Sequence, residues 1–148
     1  MEEKINMEAG MEKEYGEKSY KGFAGLMSLF VLLMFLLPFI PNAGAELISI
    51  IIFNGMNLWM ALLTWVIYKT EKIYWYTGMS YEEAAKAGTD NRKKYAIRHF
   101  KRFALFAAAF ALYSVISYLL RVPLMADILL ETIGIVAVAV STINIKLE

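Results

Sequence analysis

Residues 47–68 read LISIIIFNGMNLWMALLTWVIY, a run between Glu46 and Lys69 without one charged side chain. At 1.5 Å per residue, such a helix spans the ~30 Å hydrocarbon core of a bilayer. Working outward, three more apolar blocks lie at residues 23–40, 103–120 and about 122–140, each near the length of a crossing. Pro38, Pro41 and the turn-like Asn42, Ala43 and Gly44 close the first block. Alanine-rich stretches such as residues 107–109 favour helix over strand. A soluble fold of 148 residues, 59% of them hydrophobic, could not cover this much continuous apolar surface. The reading is all-α: a polytopic integral membrane four-helix bundle with helices at about 22–40, 46–76, 90–121 and 123–143.

Orientation follows from Lys and Arg, which stay on the cytoplasmic side of a membrane. The connection between the second and third blocks carries Lys69, Lys72, Lys86, Arg92, Lys93, Lys94, Arg98, Lys101 and Arg102. The first connection carries none and the third only Arg121, while Lys4, Lys13, Lys18 and Lys21 precede the first block. Both termini and the basic loop are therefore expected inside the cell membrane, with the two short loops outside. Ser80 followed by Glu83 is a capping-box pattern, which predicts a short helix over residues 81–87 within a 77–89 loop. Gly88 can end it, and Thr89 or Asp90 can cap the next helix. The first 21 residues, rich in Glu and Lys, read as a disordered cytoplasmic tail, and residues 22–148 as a single transmembrane domain.

Composition narrows the function. A net charge of +1 offers no electrostatic case for nucleic acid. The absence of cysteine removes disulfides, thiolate metal sites and cysteine nucleophiles. No phosphate-binding loop, nucleophile elbow or cofactor fingerprint occurs, so neither an enzyme nor a cofactor is expected.

Small and polar residues line up within the crossings. Asn54, Asn57, Ala61 and Thr64 share a face of the second helix. Ala104, Ala107, Ala111, Ser114 and Ser117 do so on the third, and Asp127, Glu131, Gly134, Ala137 and Ser141 on the fourth. Helix contacts in lipid need small residues, so these stripes are expected to point inward. Glu131 and Asn54 lie at matching depth, about 10 Å below the outer surface, with Ser114 in the same layer. A carboxylate there must be protonated, paired or hydrated. Glu131, Asp127, Asn54, Asn57 and Ser114 are thus the candidate polar site, either a clasp between helices or a titrating site. Asp127 is expected to reach water or Arg121. With no histidine or further acid beside these two carboxylates, a metal site is not expected. His99, the single histidine, reads as an interfacial residue. Arg92, Lys93, Lys94, Arg98, Lys101 and Arg102 are candidates for anionic-lipid contact.

The four short crossings resemble those of small multidrug transporters, but that family's essential glutamate belongs to the first helix, which here has no acid. The loop with Thr77, Ser80, Lys94, His99 and Phe103 resembles the cytoplasmic loop of small bacterial immunity-type membrane proteins. No functional residue is carried over from either, and no family is assigned. The expectation is a non-enzymatic accessory, immunity or assembly component whose partners are the lipid bilayer and other membrane proteins or a second copy. The alternative is an oligomeric transporter or channel subunit built around the Glu131 layer.

Overall fold

In the computed structural model, which describes residues 15–41 and 44–147, the four apolar blocks are four helices. Helix α1 (Lys21–Leu36) runs into a 3-10 turn at Leu37–Phe39, where Pro38 lacks an N–H that this position leaves unpaired anyway. α2 is Ala45–Thr70, α3 is the short Tyr81–Lys86, α4 is Thr89–Leu120 and α5 is Leu124–Ile143. All but α3 are long and apolar enough to cross a membrane. No strand occurs among the described residues.

Two non-glycine residues with positive φ shape the connections. Arg121 (φ 54°) closes α4, and Val122 N–H then donates to the Ser117 carbonyl at 3.0 Å. This Schellman-type closure reverses the chain directly into Pro123 and α5. Glu71 (φ 57°) ends α2, so that helix stops at Thr70 instead of continuing to Tyr76 as its sequence suggests. The reason is tertiary. The Glu71 carboxylate sits 3.0 Å from Arg92 and 3.5 Å from Lys93 at the start of α4. Holding those partners bends the chain out of the helix and into a 3-10 turn at Ile73–Trp75.

Ser80 caps α3 through a complete capping box, its hydroxyl accepting from Glu83 N–H while the Glu83 carboxylate accepts from Ser80 N–H. Gly88, expected to terminate α3, is instead the N-cap of α4. Residues 15–20 are not part of a disordered tail; they lie across the loop. Tyr81 Oη donates to the Gly16 carbonyl at 2.6 Å, and Tyr74 Oη and Trp75 Nε1 both donate to the Ser19 carbonyl. The Tyr15 ring covers the Arg92 guanidinium at 4.4 Å. The remainder of the expected tail, residues 1–14, lies outside the described residues.

α2 and α4 form the main pair, α5 packs chiefly on α4, and α1 touches α2 lightly. Gly134 lets α5 approach α4, because a Cβ there would fall 2.5 Å from the Phe106 ring. The continuous core, with Leu63, Ile67, Ile73, Tyr74, Ala84 and Ala96, gathers at the end that carries α3, called here the basic end. This placement has a physical cause. Apolar burial is driven by water, so it concentrates where loops leave the hydrocarbon, while the lipid-facing spans gain little by hiding their leucines. α1 accordingly has no buried residue at all.

Candidate functional site

Helical spacing puts Asn54, Asn57, Ala61 and Thr64 on one side of α2, facing α4 and α5. Asn57, Ala61 and Thr64 are buried; Asn54 is half-buried. Asn57 Nδ2 donates to Glu131 Oε2 at 3.1 Å, linking α2 to α5. Asn54 does not reach Glu131. Its amide donates to Ser114 Oγ at 2.9 Å and to the Ile50 carbonyl, linking α2 to α4.

Asp127 completes the layer in a way the sequence reading missed. It is 5% exposed, and its Oδ1 accepts from Tyr113 Oη at 2.7 Å and from Ser117 Oγ at 2.6 Å. Both partners are on its neighbour helix α4, and it forms no ion pair with the exposed Arg121. Tyr113 and Ser117 share a face at four-residue spacing, a signal that could have identified this pair. Three helices are thus stitched by four side-chain hydrogen bonds: Asn57–Glu131, Asn54–Ser114, Tyr113–Asp127 and Ser117–Asp127. One atom is left over. Glu131 Oε1 is buried and has no hydrogen-bond partner among the described residues.

The small-residue stripes divide. Ser114 and Ser117 point inward, whereas Ala104 and Ala107 are half-buried and Ala111 is exposed. These alanines line an apolar groove of about 520 Å³ beside Leu58, Leu62 and Trp65. On α5, Asp127 and Glu131 are buried, Gly134 and Ser141 half-buried, and Ala137 is exposed. Two side chains in place of a full inward face suffice because α5 meets its neighbours along a narrow seam.

The basic stretch also separates. Arg92 is 6% exposed and committed to Glu71, Thr89 Oγ1 and the Ala84 and Ala87 carbonyls, so it is not placed for lipid. Lys93 leans on Glu71, while Lys94, Arg98 and Lys101 are exposed and Arg102 is half-buried. His99 is buried within the bundle. It is 5% exposed, its Nδ1 lies 3.0 Å from the Tyr95 carbonyl, and its ring stacks on Tyr76 at 4.3 Å.

Among the described residues no group of three His, Cys, Asp or Glu side chains converges on a point where a metal ion could bind. Comparison with protein-family models, with curated proteins and with solved structures finds no match to the chain.

Proposed function

We propose that this small multi-pass membrane protein is a non-enzymatic accessory, immunity or assembly component that works through contacts with partner membrane proteins or lipid. The observation that carries the reading is the division of labour among the helices. α2, α4 and α5 are clasped by their own polar side chains, while α1 has no fully buried residue, packs only its first turns on the core, and turns Leu32, Phe35 and Phe39 outward. A helix so weakly held can exchange lipid contacts for protein contacts at little cost, which suits an arm that recruits a partner. In this reading the basic end is cytoplasmic, in the cell membrane, with both termini on that side. Lys94, Arg98, Lys101 and Arg102 then meet anionic headgroups, each attraction worth ~1 kcal/mol.

The unpartnered Glu131 Oε1 favours a second reading, an oligomeric transporter or channel subunit that moves protons or a small cation past this layer. One pair of experiments separates them. A photo-crosslinking residue at Phe35 should form adducts with another membrane protein or a second copy in intact cells, and the same residue at Leu119 on α4 should not. Liposomes holding the purified protein and a pH-sensitive dye should acidify at the protein-free rate. A flux abolished by Glu131→Gln would replace the accessory reading with the transport one.

A further inference from the structure

α5 is pinned over one half of its length. Asp127 and Glu131 tie its first turns to α4 and α2, and Gly134 brings it onto the Phe106 ring. Beyond Gly134, toward the basic end, a cavity of about 870 Å³ opens between α1, α2, α4, α5 and the chain after α2, within the range of small-molecule sites. Its wall follows the helix axes, with Met60 to Ile67 on α2, Tyr95 to Phe103 on α4 and Val136 to Ile143 on α5. At 1.5 Å per residue these stretches are about 10–12 Å long, most of the ~15 Å that one leaflet contributes to the hydrocarbon core.

The wall offers an occupant few polar partners. No Asp, Glu, Lys or Arg lines it. Thr64 and Thr142 donate their hydroxyls to carbonyls of their own helices, His99 places Nδ1 on the Tyr95 carbonyl, and the Tyr76 hydroxyl is closed off. Val136, Val140 and Ile143 are exposed, and α1 and α5 do not pack substantially on each other, so this side of the cavity is open to the bilayer. Cations stand beside the wall at the basic end. The Lys72 ammonium lies over the Trp75 ring of the wall at 5.5 Å, and the exposed Lys146 follows the wall residue Ile145. Neither lysine has an ion-pair partner among the described residues.

We propose that the cavity holds the acyl part of one anionic phospholipid from the leaflet at the basic end, its headgroup beside Lys72 and Lys146. A lipid of that leaflet runs along the helices to the depth of the cavity, and it presents its charge to the lysines while its chains meet the uncharged wall. The site deepens the lipid-contact side of the accessory reading and rests only on the spans crossing a membrane, so the outcome of crosslinking at α1 is independent of it.

The full-length protein, purified in mild detergent, is offered phosphatidylglycerol and phosphatidylcholine with identical chains, and the intact complexes are weighed by native mass spectrometry. Retention should saturate at one phospholipid per chain, with phosphatidylglycerol favoured several-fold. Ala139→Phe, which enlarges a wall residue of the cavity, should lower retention at least several-fold. The same change at Ala108, on the groove between α2 and α4, should not. Lys72→Gln combined with Lys146→Gln should keep one lipid and lose the preference between headgroups. Retention that never saturates, or that is equal in Ala139→Phe and wild type, would overturn the proposal. So would equal retention of the two lipids by wild type, or a preference that survives the loss of both lysines. The lysine result stands on its own should Ala139→Phe fail to fold. A polypeptide that co-purifies with wild type and is lost in Ala139→Phe would make the occupant a protein segment, which also overturns the proposal.

Discussion

Asn57 and Glu131 are each buried to within 4% of full enclosure, so what either loses on substitution cannot be recovered from water. Asn57→Ala strips Glu131 of its single donor among the described residues, while Glu131→Gln keeps a carbonyl oxygen for Asn57 to find. Unfolding in mixed micelles should therefore show Asn57→Ala weaker by about 1–3 kcal/mol and Glu131→Gln near wild type. A cycle that pairs Asn57→Ala with Glu131→Ala, which removes the acceptor, should reveal a coupling of roughly 0.6–1.7 kcal/mol, from the average to the largest value for hydrogen bonds between membrane helices. A zero coupling would mean that the bond is incidental. Gly134 offers a steric counterpart, since its Cβ position falls on the Phe106 ring. Gly134→Ala should cost about 1–3 kcal/mol, and Phe106→Leu should restore part of it. At this scale the sequence carried face and approximate depth. Counting residues puts Glu131, Asn54 and Ser114 in one layer, and the structure bonds Asn54 to Ser114 but gives Glu131 to Asn57, one turn further along α2. It did not carry pairing. Asn54 selecting Ser114, and Asp127 selecting Tyr113 and Ser117 over Arg121, depend on helix rotation and on the left-handed residue that ends α4.

Elements at the basic end carry caps and ion pairs in addition to the packed core. The capping box sets the α3 entry, and its two hydrogen bonds to Ser80 hold the Glu83 carboxyl below the usual carboxylate range. A lowered folded value contributes stability that is present above the ordinary value and lost as pH falls through the lowered one. Amide exchange over residues 82–86, corrected for intrinsic rates, should thus lose protection on acidification below the ordinary Glu range. Glu83→Gln should show no such step. Arg92 ties Glu71, the α3 carbonyls and the Tyr15 ring into one unit. Arg92→Ala should release residues 15–20, and trypsin should cut after Lys18 at least several-fold faster while the spans stay intact. α3 was readable because a capping box is local, four residues in contiguous sequence. The end of α2 was not readable. Nothing in residues 69–76 breaks a helix, and the partners that Glu71 meets where it turns left-handed, Arg92, Lys93 and Tyr15, all lie far along the chain.

The whole molecule is tight at one end, stitched in the middle and loose along α1, a gradient that follows from its two solvents. Water at the basic end drives the Ile67, Ile73 and Ala84 cluster together, and all three are at most 1% exposed. Hydrocarbon along the spans leaves polar clasps and close approaches such as Gly134 to hold the helices. Such a gradient has a direction, and the distribution of Lys and Arg predicts it: the cohesive end is expected in the cytoplasm. The chain contains no cysteine, so single cysteines report without background. Glu46 at the start of α2 and Val122 before α5 mark the far end, while exposed Lys86 in α3 marks the basic end. In intact cells a membrane-impermeant thiol reagent should label cysteine at positions 46 and 122 and leave position 86 unlabelled until the membrane is permeabilised. Labelling at 86 alone would invert the orientation and place the basic patch outside, away from the anionic leaflet. In that case contact of Lys94 and Lys101 with that leaflet could not stand. Labelling at all three positions would mean that neither α2, between 46 and 86, nor α4, between 86 and 122, crosses the membrane, and the four-crossing topology would fall with them.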